Sequence, residues 1–258
     1  MKKLIITTAA LALLVFSSNA FAYVSVWDYT LSATFINTTL TNGDSLSDGT
    51  TLEWGVSTGF GQSSLVIDPY EVTSTVNTFI GGGTIPNTFW AESVDLTHNN
   101  NPIYAPSLAQ TTLLVTVILD ALVPNQPALP DQQFSFGIDF TETPNIGGLA
   151  EYDVFSLLDG FPNFNFVNPY DGVTYFVNVF PSTGGILAGL NALYAGLAGV
   201  PEGTLGFATP ERDSTTLGFS FTISTEPLTN VVPEPSTILL MGAGLLGLAA
   251  IGRRKARM

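Results

Sequence analysis

The chain contains one histidine, His98, within the segment LTHNNNP at residues 96–102. A histidine can act as the general base for a serine, with an aspartate orienting its ring. The chain has no Gly-x-Ser-x-Gly sequence, which would place such a serine on a strand-to-helix turn. Asn99 to Pro102 instead favour a bend, whose backbone Thr97 and His98 would hydrogen-bond. We therefore predict a structural turn here and no catalytic residue.

Carboxylates offer a second kind of chemistry. Asp153 with Asp159, or Asp139 with Glu142, could be posed as the acid and base of a glycoside hydrolase. The chain has 21 acidic residues, so pairs of this kind arise readily by chance. A secreted hydrolase that uses His98 or a carboxylate pair therefore stays only as the second alternative function.

Metal ligands are also sparse. Asp44 and Asp48 lie in a Gly/Ser-rich loop at residues 42–49, which offers oxygens that calcium prefers. The loop lacks the spaced acids and final glutamate of an EF-hand, so a hairpin loop is the simpler interpretation. One histidine and no cysteine cannot provide the multi-histidine or thiolate ligand sets of zinc sites. We predict no metal and no cofactor.

The three tryptophans allow a third kind of site. Trp27, Trp54 and Trp90 could form a platform on which sugar rings stack. Each of them lies in a strand-like run, so packing in the core is the favoured interpretation. A carbohydrate-binding module stays as the first alternative function.

The elements that must position these residues are mostly strands. Several segments alternate apolar and polar residues with period two, which is typical of half-buried antiparallel strands. The predicted inward faces are Tyr29, Leu31, Ala33 and Phe35; Phe134, Phe136, Ile138 and Phe140; and Leu217, Phe219, Phe221 and Ile223. The more continuous run from Leu113 to Val123 predicts a central strand covered on both sides. Tyr175 to Phe180 predicts a further strand, and Leu187 to Ala198 a short helix.

Together these patterns predict an all-β fold, an antiparallel β-sandwich of jelly-roll type with about ten to twelve strands. The predicted β domain spans residues 23–224, and residues 225–232 are predicted to form an exposed stalk. Residues 23–232 contain 20 acidic residues and one basic residue, a formal charge of −19. Nucleic acid is excluded as a partner because its phosphates require Lys or Arg.

The two ends of the chain have the composition of targeting segments. Residues 1–22 combine Lys2 and Lys3, an apolar stretch and Ala20-Phe21-Ala22, which predicts a signal peptide that signal peptidase cleaves after Ala22. Near the C-terminus, an apolar run at residues 238–251 predicts a transmembrane helix. The basic cluster that follows would hold that end on the cytoplasmic side. Its members are Arg253, Arg254, Lys255 and Arg257.

The last 27 residues resemble the PEP-CTERM sorting signal of Gram-negative bacteria, because a Val-Pro-Glu-Pro motif, an apolar span and a basic end occur in this order. The motif residues are Val232, Pro233, Glu234 and Pro235. The prolines keep the backbone extended before the span. The resemblance implies that a membrane-embedded exosortase recognises and cleaves this tail at residues 233–258.

A second resemblance lies in the middle of the chain. Thr97, His98 and Asn100 are similar to the signature of the THxN family of PEP-CTERM proteins, as are the region of Trp27 and residues 207–211. This resemblance implies a location and no known activity.

From both ends and the body we expect an exported, non-enzymatic protein. An inner-membrane-held precursor would give a mature form at the cell surface or outside a Gram-negative cell. Its role would be structural or adhesive in the envelope or biofilm matrix, with polysaccharide as a candidate partner.

Overall fold

A computed structural model of the protein describes residues 23–81, 85–143, 152–157, 163–182 and 186–228. These residues form mostly β-strands, together with one 3₁₀ turn at Asn87–Phe89 and one helix, α1 (Ala192–Ala198). The strands are β1 (Val26–Leu40), β2 (Thr51–Trp54), β3 (Val56–Ser57), β4 (Ser63–Ile67), β5 (Glu71–Phe79), β6 (Ala91–Asn100), β7 (Ile103–Tyr104), β8 (Leu108–Val123), β9 (Gln132–Thr141), β10 (Tyr152–Leu157), β11 (Phe164–Val167), β12 (Thr174–Pro181), β13 (Ala188–Gly189), β14 (Leu205–Pro210) and β15 (Asp213–Ser224).

Thirteen of the described strands form two joined sheets that face each other across the main apolar core, and β3 pairs with β7 as a separate two-stranded sheet. The first has the strand order β13-β14-β10-β9-β8-β1-β5, and the second contains β11, β12, β15, β6, β4 and β2. Strand β5 joins the two, because it pairs with β1 along most of its length and runs parallel to the end of β15. The all-β prediction is confirmed, although the sheet is mixed and the jelly-roll connectivity stays a prediction.

The predicted inward faces of β1, β9 and β15 are confirmed. Their alternating apolar side chains are all buried, and Tyr29 of one sheet meets Phe221 of the other edge-on, with ring centroids 4.9 Å apart. In β15 the intervening polar side chains of Ser220, Thr222 and Ser224 are buried as well. The part of β15 from Leu217 to Ser224 is therefore buried on both faces.

Strand β8 does not have the predicted cover on both sides. Ile118 and Leu122 are each 39 % exposed, and Val123 is 52 % exposed. The outward positions of this strand also include Thr116 and Asp120, which belong on a solvated face. Its apolar run reflects strand propensity on the outer face rather than double burial.

The helix predicted over Leu187 to Ala198 begins five residues later than expected. Asn191 ends the preceding segment, because its side-chain Oδ1 accepts hydrogen bonds from the N–H groups of Leu193 and Tyr194 at 3.0 and 3.1 Å. Such a cap fixes the first turn of a helix. The residues before Asn191 include the short edge strand β13, which pairs with β14.

The chain still packs against the body at Leu228, beyond residue 224 where the predicted β domain ends. Leu228 is only 5 % exposed, and it exchanges two hydrogen bonds with the side chain of Asn163, at 3.0 and 3.1 Å. The exposed stalk predicted from residue 225 therefore does not start there. The predicted signal peptide and the predicted membrane helix lie outside the described residues. Within those residues, no helix has the length and apolar character needed to cross a membrane.

Two glycines near α1 give a matched test of the packing between β14 and β10. A methyl group at Gly206 would collide with the backbone carbonyl oxygen of Phe155, whereas nothing lies within 4 Å of one at Gly196 in α1. We expect Gly206→Ala to lower the free energy of unfolding by about 2 kcal/mol or more, because a strand must shift. Gly196→Ala should raise it by about 0.5–1 kcal/mol. Urea denaturation followed by tryptophan fluorescence measures both, and equal effects would contradict the observed packing.

Candidate functional site

His98 and Asn100 lie in β6 and not in the predicted turn, so that prediction is wrong. The backbone of β6 is occupied by ladders on both sides, with β15 opposite His98 at Thr215 and β4 opposite it at Leu65. Val94, Leu96, His98 and Asn100 then share the inward face with period two. Asn99 and Asn100 therefore extend the strand, and Asn100 points into the core.

Aromatic rings enclose the imidazole of His98. Trp54 stacks parallel to it at 5.8 Å between centroids, while Phe155 and Phe140 approach it edge-on at 4.6 and 5.7 Å. The side chain has no exposed surface, and burial lowers the pKa of His98 to about 3. Neither ring nitrogen has a hydrogen-bond partner among the described residues. His98 is thus a neutral ring inside the core, and no serine is hydrogen-bonded to it in the described part of the chain.

Among the described residues, the acid that approaches this ring within 4.0 Å is Asp153, and it is fully buried. Its Oδ1 accepts a hydrogen bond from the N–H of Thr143 at 3.2 Å, and its Oδ2 lies 3.9 Å from Nε2 of His98. Burial, reinforced by the charge of Glu142, raises the pKa of Asp153 to about 9. The contact with His98 is too long for a hydrogen bond, and both groups are neutral, so it is not an ion pair.

Two glutamates complete the acidic cluster. Burial and then the charge of Glu211 raise the pKa of Glu142 to about 7, while Trp54 and Asp153 offset part of this rise. The charge of Glu211 also raises the pKa of Asp153. The cluster therefore holds protons at neutral pH where an isolated carboxyl would have lost them.

Asn100 connects the two sheets beside this cluster. Its Nδ2 donates to the carbonyl oxygen of Thr209 at 3.0 Å, and both residues are at most 1 % exposed. Thr209 lies directly opposite Asp153 in the β10–β14 ladder. Thr97 points the other way, and its hydroxyl is 2.8 Å from that of Thr216 on the surface. Of the three signature residues, two therefore belong to the buried cluster and one does not.

The predicted carboxylate pairs are not those that the fold brings together. Asp139 points outward from β9, whereas Glu142 follows the inward series that ends at Phe140. Asp159 lies outside the described residues. The structure instead groups Asp153 with Glu142 and Glu211. Continuing the period-two pattern beyond Phe140 and Thr209 would have found both glutamates.

The remaining sequence candidates have simple structural roles. Asn42 donates to Asp44 at 2.6 Å, and the loop folds back on β1 through bridges such as that between Thr39 and Ser45. Among the described residues no three or more His, Asp or Glu side chains are arranged to hold a metal ion. Trp27 and Trp54 are buried as predicted, with exposures of 0 % and 1 %.

Trp90 does not follow the core prediction. It is 39 % exposed and rests edge-on against Phe180, with ring centroids 4.9 Å apart. It lies between the 3₁₀ turn and β6, so no ladder fixes it on an inward face. With the other two tryptophans buried, the three do not form a common platform.

The sorting motif, from Val232 to Pro235, and the basic cluster both lie outside the described residues. A family model for the PEP-CTERM protein-sorting motif matches residues 231–255. This motif indicates an exported protein that an exosortase recognises, with a membrane-anchored precursor that is sorted to the cell surface. A comparison with curated proteins finds no match.

The buried acids predict a loss of stability at alkaline pH. A carboxyl whose folded pKa is raised binds a proton that the unfolded chain has released, so stability falls as pH rises towards the folded pKa. For Asp153 this window runs from its ordinary 3.8 to about 9; the lowered pKa of His98 acts oppositely, but only below about 6.5. Between pH 7 and 9 we expect a decrease of up to about 1.4 kcal/mol per pH unit.

Asp153→Asn should remove most of that slope, because an amide oxygen can still accept from Thr143 without ionising. The control is Asp120→Asn on an exposed position of β8, which should keep the slope of the natural protein. Urea denaturation at several pH values between 7 and 9 measures it. An unchanged slope in Asp153→Asn would show that this carboxyl is already ionised in the folded state.

His98 and Asn100 should respond differently to truncation. His98→Leu fills a similar volume and removes two unbonded nitrogens, so we expect a stability change of less than about 1 kcal/mol. Asn100→Ala removes the donor to Thr209 and leaves a buried carbonyl, which should cost about 1–3 kcal/mol. Thermal and urea unfolding compare the two variants. If His98→Leu lost more than about 1 kcal/mol of stability, the imidazole would have an interaction beyond packing.

Proposed function

We propose that this protein is a structural or adhesive component of the envelope or extracellular matrix of a Gram-negative bacterium. Signal peptidase would remove residues 1–22, and an exosortase would release the body from its C-terminal tail. The observation that carries the proposal is the sorting motif at residues 231–255, because it assigns both the route and the processing enzyme. The THxN signature at Thr97, His98 and Asn100 supports membership of a family of such surface proteins.

The N-terminal boundary of the body supports cleavage after Ala22. Val24 is fully buried, and its N–H donates to the hydroxyl of Tyr175 at 2.6 Å. Ser25 continues with a hydrogen bond from its N–H to the carbonyl oxygen of Val123 at 2.7 Å. Only Tyr23 would therefore precede the first fixed residue of the mature protein.

The buried cluster supports a non-catalytic role. A general base must reach the proton that it removes and have a pKa near the working pH. His98 is neutral and sealed behind Trp54, Phe140 and Phe155, and Asp153 has no exposed surface. The pKa of Glu142 is near neutral, but both of its carboxyl oxygens are buried. We therefore propose that the signature histidine and its acids stabilise the sandwich, and that the protein acts through its surface.

The tail provides the direct test of this function in the native cell. Removing residues 232–258 should abolish the second processing step and release the body without a membrane-held precursor. Glu234→Ala should slow processing and leave the precursor in the membrane fraction, because the apolar span remains. Membrane fractionation with intact-mass measurement follows both. Glu226→Gln, an exposed acid before the tail, is the control and should be processed normally.

Normal location of the protein lacking residues 232–258, or normal processing of Glu234→Ala, would remove the proposed role of the tail. Cells that carry the Glu142→Gln variant provide a second comparison. If they lost an essential conversion of a small molecule while the protein reached its normal location, the hydrolase alternative would be favoured instead.

A further inference from the structure

A shallow polar depression lies at the turn between β14 and β15. Its volume is about 400 Å³, and we call it the Arg212 pocket. Two other depressions of similar size, about 480 and 460 Å³, have no charged side chain among the described residues that line them. The Arg212 pocket is lined by Ser64, Asn99, Asn101, Arg212, Asp213 and Ser214.

Arg212 is unusual in both charge and conformation. It is the single basic residue between residues 23 and 232. Its backbone has a φ of 61°, in the left-handed region, where a residue with a Cβ pays about 1–2 kcal/mol and glycine or asparagine fits more easily. The turn itself needs only the backbone, since the N–H of Arg212 donates to the carbonyl oxygen of Asn100 at 2.8 Å. A strained backbone at an exposed residue points to a use for its side chain.

The guanidinium of Arg212 is held in place by an aromatic ring. Its central carbon lies 4.3 Å from the centroid of Phe60, and that ring remains 57 % exposed. Stacking on a ring fixes the guanidinium plane while its N–H donors stay free to bind. A partly exposed aromatic ring and a planar set of donors are therefore in contact next to the pocket, with Phe60 adjoining the lining residue Arg212.

The asparagines of the pocket are fixed as well. Nδ2 of Asn99 donates to Oγ of Ser64 at 2.9 Å, and Nδ2 of Asn101 donates to the carbonyl oxygen of Gln62 at 2.8 Å. These bonds orient both amides, whose oxygens are acceptors. Vicinal hydroxyl groups both donate and accept hydrogen bonds. The pocket provides donors from Arg212 and acceptors from Asp213 and the asparagines, so it can satisfy both.

We propose that the Arg212 pocket binds an uncharged sugar unit of a polysaccharide, with Phe60 against its apolar face and Arg212 and the asparagines on its hydroxyls. The ligand is uncharged because the body carries a formal charge of −19, which repels a polyanion more strongly than one arginine attracts it. This inference rests on the proposed matrix function and gives it a ligand class.

The position of the pocket agrees with such contact. Arg212 immediately precedes β15, and the other end of this twelve-residue strand, which leads to the last described residue Leu228, is about 36 Å away at about 3.3 Å per residue. In a precursor held in the membrane by its tail, the pocket would lie at the end of β15 that is farther from the tail.

Affinity electrophoresis in native gels tests the proposal with the full chain in a non-ionic detergent. The probes are dextran, laminarin and mannan as neutral polysaccharides, and alginate as a polyanion. We expect at least one neutral probe to retard the protein. Arg212→Gly should weaken that binding about tenfold or more through loss of charged hydrogen-bond donors, while its backbone relaxes. Phe60→Ala should weaken it similarly.

The matched control is Tyr70→Ala, which removes an aromatic ring that is 61 % exposed on the turn between β4 and β5. Its affinity should stay within about twofold of the natural protein, because the ring is outside the pocket. No retardation by the three neutral probes, stronger binding of alginate than of all three, or equal affinity in Arg212→Gly would each overturn the proposal. These outcomes are independent of the tail, so processing in cells tests the proposed function separately.

Discussion

The body of this protein must bury carboxyl groups without cations to pair with them. Residues 23–232 contain 20 acids and one base, and that base, Arg212, lies on the surface over Phe60. A buried carboxylate without a partner is costly, so it either finds donors or keeps its proton. Asp153 does both, through the N–H of Thr143 and a raised pKa. The acidic cluster of Asp153, Glu142 and Glu211 is therefore stabilised because carboxyl groups in it keep their protons, and not by ion pairs.

This constraint gives a reason for the aromatic residues around His98. A neutral imidazole packs like an aromatic ring, and Trp54 and Phe155 contact it as they would another ring. A charged imidazole in the same place would need a charged carboxylate, and burial disfavours both charges. The pair of His98 and Asp153 is thus most stable with both members neutral. Since the chain has no cysteine, the two sheets are held by this packing, by the pairing of β5 with both and by the Asn100 hydrogen bond, and not by a disulfide.

The sequence predicts the strands better than it predicts the site. Period-two alternation identifies β1 and β9, since Tyr29 to Phe35 and Phe134 to Phe140 place apolar residues on one face. The same rule misses His98 and Asn100, because polar residues at inward positions remove the hydrophobic signal. The parallel contact of β5 with β15 joins residues far apart in the chain, so no local pattern indicates it. Trp90 is the opposite case. Its apolar character predicts burial, but it lies outside the strands, so no strand pairing places its side chain on an inward face.

Strand β6 contributes residues both to the buried cluster around His98 and to the Arg212 pocket. Its inward residues His98 and Asn100 have burial and sheet-to-sheet contacts, whereas the neighbouring Asn99 and Asn101 face the Arg212 pocket. Since β6 contains His98, Asn99 and Asn100 and Asn101 follows directly, a change in the buried cluster that shifts β6 would also move the pocket. The asparagine run thus links core stability to surface recognition: alternate members of one short sequence serve the fold and, on our proposal, the ligand.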